Sequence, residues 1–176
     1  MHRKLAYILI VIFSLFLSSC ATKMSTEADN AEQQKVKKQV LQLLEEEYNQ
    51  PFKIVSFNYK YETHYPSGNC MDCRIKKYGT YHFQIQAVDN PIIELEFNID
   101  DENKESIKDV VDSFKKDQLK ELYCNSLRAY YRASIIDKIK VEQPNTKLGE
   151  KFCSNRGQAW YQEYKNYYLK HKDEYK

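Results

Sequence analysis

The chain has 176 residues, 42% of them hydrophobic and 30% charged, a length that suits one domain of ordinary size. The net charge of +2 comes from 27 Lys and Arg against 25 Asp and Glu; the surplus is Arg3 and Lys4, so the rest of the chain is balanced and offers no electrostatic basis for a nucleic-acid partner. Four glycines and four prolines are too few for a long flexible linker or a repeat array.

The chain begins with a short basic stretch, His2-Arg3-Lys4, followed by a 13-residue apolar run from Leu5 to Leu17 broken only by Ser14. Two small residues then precede Cys20. This is the layout of a signal peptide. A helix needs about 20 apolar residues to span a hydrocarbon core, so the run predicts a removable leader rather than a permanent span. Leu17-Ser18-Ser19-Cys20 resembles the lipobox of bacterial lipoproteins. The resemblance covers residues 1–20 and says nothing about the remainder. It implies that the Cys20 thiol receives a diacylglyceryl group and that a peptidase cuts just before Cys20, with Ser18 and Ser19 giving access to the backbone. Two or three acyl chains then hold the protein at a membrane where one would bind only marginally. Ala21 after the cysteine, in place of an aspartate, implies the outer membrane in a Gram-negative host. The expected organisation is a signal peptide over 1–19, a lipidated N-terminus and spacer over 20–31, and a single domain over 32–176.

In that domain, Val36, Val40, Leu43, Leu44 and Tyr48 recur at three and four, predicting a helix over Glu32 to Tyr48 that Pro51 ends. The period then becomes two. Val55, Phe57, Tyr59 and Tyr61 predict one face of a strand. After the loop THYPSGNCMDCRIKK, two further alternating runs flank Asp89-Asn90-Pro91, with Tyr81, Phe83, Ile85 and Ala87 on one face of the first and Ile93, Leu95, Phe97 and Ile99 on one face of the second. Ile107, Val110, Val111 and Phe114, then Leu119, Leu122, Tyr123, Leu127 and Tyr130, predict a long helix broken near Lys116. Ile135, Ile139 and Val141 fit either a continuation or a short strand, and Pro144 closes the region. Trp160, Tyr161, Tyr164 and Tyr168 share a helical face and predict a last helix over Asn155 to His171. The order, an N-terminal helix, an antiparallel three-stranded meander and C-terminal helices, is that of an α+β fold, with a cystatin-like or related roll as the expected form.

Apart from Cys20, four cysteines remain: Cys70, Cys73, Cys124 and Cys153. An even number in an exported protein predicts two structural disulfides, with three connectivities open. Pairing Cys70 and Cys73 with Cys124 and Cys153 would close long loops and contribute about 3–5 kcal/mol each. Cys70-Met71-Asp72-Cys73 is also a CxxC sequence, the basis of an alternative as a membrane-tethered thiol-disulfide oxidoreductase. It is followed by Arg74-Ile75-Lys76-Lys77 and a strand, without the helix N-terminus that lowers a thiol pKa or a surrounding thioredoxin-like βαβ run. His64, Cys70, Cys73 and His82 are a possible zinc set whose spacing matches no metal motif, and no metal or cofactor is assigned.

No catalytic motif occurs: GxSxG, HExxH and a phosphate-cradling glycine loop are all missing, so no catalytic residue is assigned. Trp160, Tyr164 and Tyr168 offer flat apolar faces with polar handles, a candidate contact for glycan or peptidoglycan. The bland reading of that stripe is the docking face of a terminal helix. The stretch from Asp89 to Glu105 holds seven acids and one lysine and reads as a solvated acidic loop; within it, the acids around Asp100, Asp101 and Glu102 would suit a basic partner of an immunity or exclusion lipoprotein. The function expected from these features is a non-enzymatic binding module, anchored in the bacterial cell envelope through lipid on Cys20 and engaging an envelope protein or cell-wall component. An immunity or exclusion lipoprotein is an alternative of the same class.

Overall fold

The computed structural model describes residues 24–65 and 75–176. Helix α1 (Asn30–Tyr48) starts at a reciprocal cap: the Asp29 carboxylate accepts from the Glu32 N–H at 2.8 Å while the Glu32 carboxylate accepts from the Asp29 N–H at 3.1 Å. It ends at Asn49, whose left-handed conformation (φ 52°) lets its N–H reach the Glu45 carbonyl. Val36, Val40, Leu44 and Tyr48 form its buried stripe, as their four-residue spacing predicts.

Strands β1 (Phe52–His64), β2 (Lys76–Ala87) and β3 (Glu94–Asp100) form an antiparallel meander in the order β1-β2-β3. On β2, Tyr81, Phe83, Ile85 and Ala87 are buried; on β3, Leu95, Phe97 and Ile99 are buried and alternate with exposed Glu94, Glu96 and Asn98. β1 departs from its expected pattern. Ile54 pairs with Ile85 and Ser56 with Gln84, so Val55 is the extra residue of a β-bulge and is 54% exposed. The inward face is therefore Phe52 and Ile54 before the bulge and Phe57, Tyr59 and Tyr61 after it. The period-two reading assigned Val55 to that face because an inserted residue shifts alternation by one.

Helix α2 (Ile107–Asp117), capped by the Ser106 hydroxyl, and helix α3 (Leu122–Asp137) replace the single long helix and are separated by Gln118 to Glu121, close to the expected break. Phe114 of α2 stacks at 4.8 Å on Phe97, which lies 5.2 Å from Phe83, so an aromatic column joins α2 to the sheet. α3 ends at Lys138 in the left-handed region, and Ile139 and Val141 lie in the connection to the next helix, in neither helix nor strand. Pro144 then opens a helix rather than closing a region. It stands in the first turn of α4 (Gln143–Asn155), where its missing N–H has no intrahelical partner to lose.

The expected last helix from Asn155 is also revised. Gly157, at φ 70°, turns the chain back so that the Gln158 N–H reaches the Cys153 carbonyl at 2.8 Å, and α5 (Gln162–His171) begins only at Gln162. Glu150 fastens the C-terminal helices, accepting from the Tyr131 hydroxyl and from Lys165. A short 3₁₀ turn (Lys172–Glu174) follows, and Lys176 pairs through its backbone with Lys138 and Lys140 at 2.9 Å each.

Residues 25–29, expected as spacer, are packed against the sheet. The Ser25 hydroxyl donates to Asp101 at 2.6 Å, the Tyr61 hydroxyl to the Ser25 carbonyl at 2.6 Å, and the Ala28 N–H to the Tyr59 hydroxyl at 3.0 Å. Their polar composition suggested spacer, yet the polar groups are satisfied by Asp101 and two tyrosines.

Candidate functional site

Among the described residues, a groove of about 730 Å³ lies between the free edge of β3 and helix α3. The sheet side contributes Gln84, Glu94, Leu95 and Glu96, and the turn before β3 contributes Pro91 and Ile92. On the helix side, Ser126, Ala129 and Ala133 stand at three- and four-residue spacing. Their small side chains leave the space, while Leu122 and Tyr130 supply larger apolar surface beside them. This volume lies in the range of ordinary ligand clefts.

The groove's charged groups share one sign. Glu94, Glu96 and Glu142 line it, and among the described residues no Lys or Arg does. Glu94 accepts from the Gln86 amide at 3.3 Å, and the same amide donates to the Pro91 carbonyl at 2.9 Å, which steadies the turn into β3. Glu142 accepts from Asn145 at 3.1 Å, and its N–H donates to the Tyr130 hydroxyl at 3.4 Å. Beneath the same turn, the buried Asn90 amide donates to the Asn145 carbonyl at 3.3 Å and to the Tyr123 hydroxyl at 3.4 Å. Both walls are thus held by hydrogen bonds.

Cys124 on α3 and Cys153 on α4 form a disulfide, with Cα atoms 5.7 Å apart. This excludes the connectivities that run from Cys70 and Cys73 to these two helices. Cys20, Cys70 and Cys73 lie outside the described residues. The proposed zinc set does not come together: His64 faces Lys76 and His82 faces Asn58, six residues apart on the same strand pair, or roughly 20 Å along it. Instead, His64 stacks on Tyr78 at 3.6 Å, and His82 pairs with Asn98 at 2.8 Å. Among the described residues no three His, Cys, Asp or Glu side chains are grouped to hold a metal ion.

Trp160, Tyr164 and Tyr168 do not form one accessible face. Trp160 is 38% exposed and precedes α5, Tyr164 is half-buried beneath the Arg128 guanidinium at 5.2 Å, and Tyr168 is buried, its hydroxyl accepting from the Val141 N–H at 3.2 Å. Tyr168 is a docking residue of the core. Burial explains its chemistry better than ligand contact does.

Several buried phenols hold their protons more tightly than usual. Desolvation is the main cause for Tyr48, Tyr81 and Tyr131, all pushed up, and for Tyr59, pushed up to about 12 with a further contribution from neighbouring Asp101. None lines the groove. The groove itself was not evident in the sequence. Its signal there is the run of small residues Ser126, Ala129 and Ala133 along one side of α3.

The fold defines the class of this chain: an α+β domain of one leading helix, a three-stranded meander and following helices. No protein-family model matches it, and neither a curated protein nor a solved structure does.

Proposed function

We propose that this chain is a non-enzymatic binding module of the bacterial cell envelope, anchored by lipid on Cys20, that engages another envelope component through the groove between β3 and α3. The groove carries this reading: a largely apolar cleft with steadied walls, rimmed by carboxylates, is suited to recognition. The anchor rests on the lipobox resemblance. It agrees with the docking of Ser25, because five residues from Cys20 to Ser25 reach at most about 18 Å, which would hold the domain close to the bilayer.

The test is photo-crosslinking in cells making the full chain, with the photoreactive residue at Ala129 in the groove or at exposed Val55 on β1. A discrete adduct with an envelope component from Ala129 alone, lost in Cys20→Ser together with fatty-acid incorporation, is the expected result. Equal adducts from both positions, or turnover of a cell-wall substrate by the purified protein, would overturn it.

One observation favours a second reading. With Cys124 and Cys153 bonded to each other, the CxxC cysteines Cys70 and Cys73 are left to pair together or to remain thiols, as a thiol-disulfide oxidoreductase requires. Insulin reduction abolished by Cys70→Ser, without loss of thermal stability, would establish that reading in place of the first.

A further inference from the structure

The backbone direction of β3 shows what kind of segment its groove can hold. The Ala87 N–H donates to the Ile93 carbonyl at 3.1 Å and the Asp101 N–H to the Gly79 carbonyl at 2.9 Å, so odd-numbered residues turn their backbone groups toward β2 at both ends of the strand. In an antiparallel ladder this alternation makes Glu94, Glu96 and Asn98 turn theirs away. Asn98 confirms the direction and is already occupied: its carbonyl accepts from the Gln118 amide at 2.8 Å. The open part of the edge is therefore Glu94 to Glu96, the part that lines the groove opposite α3.

Exposed edges commonly carry protection against pairing. On β1, the bulge at Val55 and the lysines Lys53 and Lys60 serve that purpose. On the open part of β3, the charges are Glu94 and Glu96, which would repel the same edge of a second copy and attract a basic chain. With Glu142 on the other side and no cation among the lining residues, an incoming strand meets one sign of charge.

We propose that the groove receives an extended segment of a partner protein bearing lysine or arginine, which adds to β3 as a fourth strand hydrogen-bonded to the backbones of Glu94 and Glu96. This rests on the reading of the groove as the binding surface and names its occupant. The apolar surface of Leu122, Ala129 and Tyr130 takes side chains on one side of the added strand, and the carboxylates pair with its basic residues.

The test uses the ¹⁵N-labelled full chain in detergent micelles and a seven-residue peptide alternating lysine and valine, with amide hydrogen exchange as the readout. Exchange at the Glu94 and Glu96 amides is expected to slow roughly tenfold or more, while the already paired Leu95 and Phe97 amides change little. The effect should disappear with Ala129→Trp, which fills the groove, in a protein whose other amides keep their pattern. It should weaken for Glu94→Gln and for a peptide methylated on alternate backbone nitrogens. Equal protection by a glutamate-valine peptide would overturn the charge assignment, and shifts confined to α3 would overturn strand addition. Absence of binding by either peptide would overturn the proposal as a whole. The crosslink from Ala129 is a separate readout, so a groove that binds something else remains distinguishable from one that binds nothing.

Discussion

Gly79 shows how a single missing side chain organises this sheet. A Cβ there would lie 2.0 Å from the Tyr59 hydroxyl oxygen and 2.3 Å from the ring carbon bearing it, so the ring of Tyr59 occupies the space a side chain would need. That ring cannot simply swing away, because its hydroxyl donates to Asp101 at 3.0 Å and accepts from Ala28. Asp101 in turn accepts from the Gly79 N–H at 2.7 Å and from Ser25, so one buried carboxylate joins the segment before α1, β1 and β2. Gly79→Ala is expected to destabilise the protein by about 2 kcal/mol in urea unfolding. The same change in a Tyr59→Ala background should cost far less, since the obstructing ring is gone; equal costs in both backgrounds would refute the coupling.

At the scale of elements, the bulge in β1 and the disulfide between α3 and α4 each give a measurable contrast. Val55→Lys places a charge at a position already in water and should change stability by less than about 0.5 kcal/mol. Phe57→Lys removes a ring that meets Phe83 at 5.1 Å and Tyr81 at 6.4 Å, and should cost about 3 kcal/mol by the same unfolding measurement. Comparable costs at the two positions would restore the uninterrupted alternation, which places Val55 and Phe57 on one face. The Cys124–Cys153 bond spans a sequence separation of 29, and closing such a loop lowers unfolded-state entropy by an amount worth about 3–4 kcal/mol. Replacing both cysteines with serine should lower the urea midpoint accordingly. It should leave the exchange pattern of β1 to β3 largely unchanged, because the bond lies among the C-terminal helices.

Across the whole molecule, buried tyrosines tie the layers together and set a limit on alkaline stability. Tyr48 of α1 donates to the Leu119 carbonyl and accepts from the Tyr123 N–H at 3.2 Å, joining α1 to the start of α3. Tyr131 reaches Glu150 of α4, and Tyr59 and Tyr81 lie with ring centres 4.7 Å apart in the sheet. A phenol whose pKa is raised by folding binds its proton more tightly in the native state. The associated stability is complete below the ordinary value of 10.0 and is lost as the pH climbs through that value toward about 12 for Tyr59 and higher still for Tyr48, Tyr81 and Tyr131. The urea midpoint should therefore be lower at pH 11 than at pH 9, with part of the phenolate absorbance appearing only as the helical signal disappears. An unchanged midpoint across that interval would show that these phenols are not coupled to folding.

The sequence by itself determined the α+β order, the buried stripe of α1 and the inward faces of β2 and β3. Those features follow from the periods of helix and strand, which are local geometry written directly into residue spacing. It also marked the break between α2 and α3, where the apolar stripe changes register. Only the tertiary structure decided that Val55 is a bulge, that Pro144 opens a helix, that Cys124 pairs with Cys153 and that Tyr168 belongs to the core. The same holds for the groove, since an open edge exists only once β3 has β2 on one side and, among the described residues, no strand on the other. Each depends on which distant segments become neighbours, and residue spacing along one segment carries no record of that.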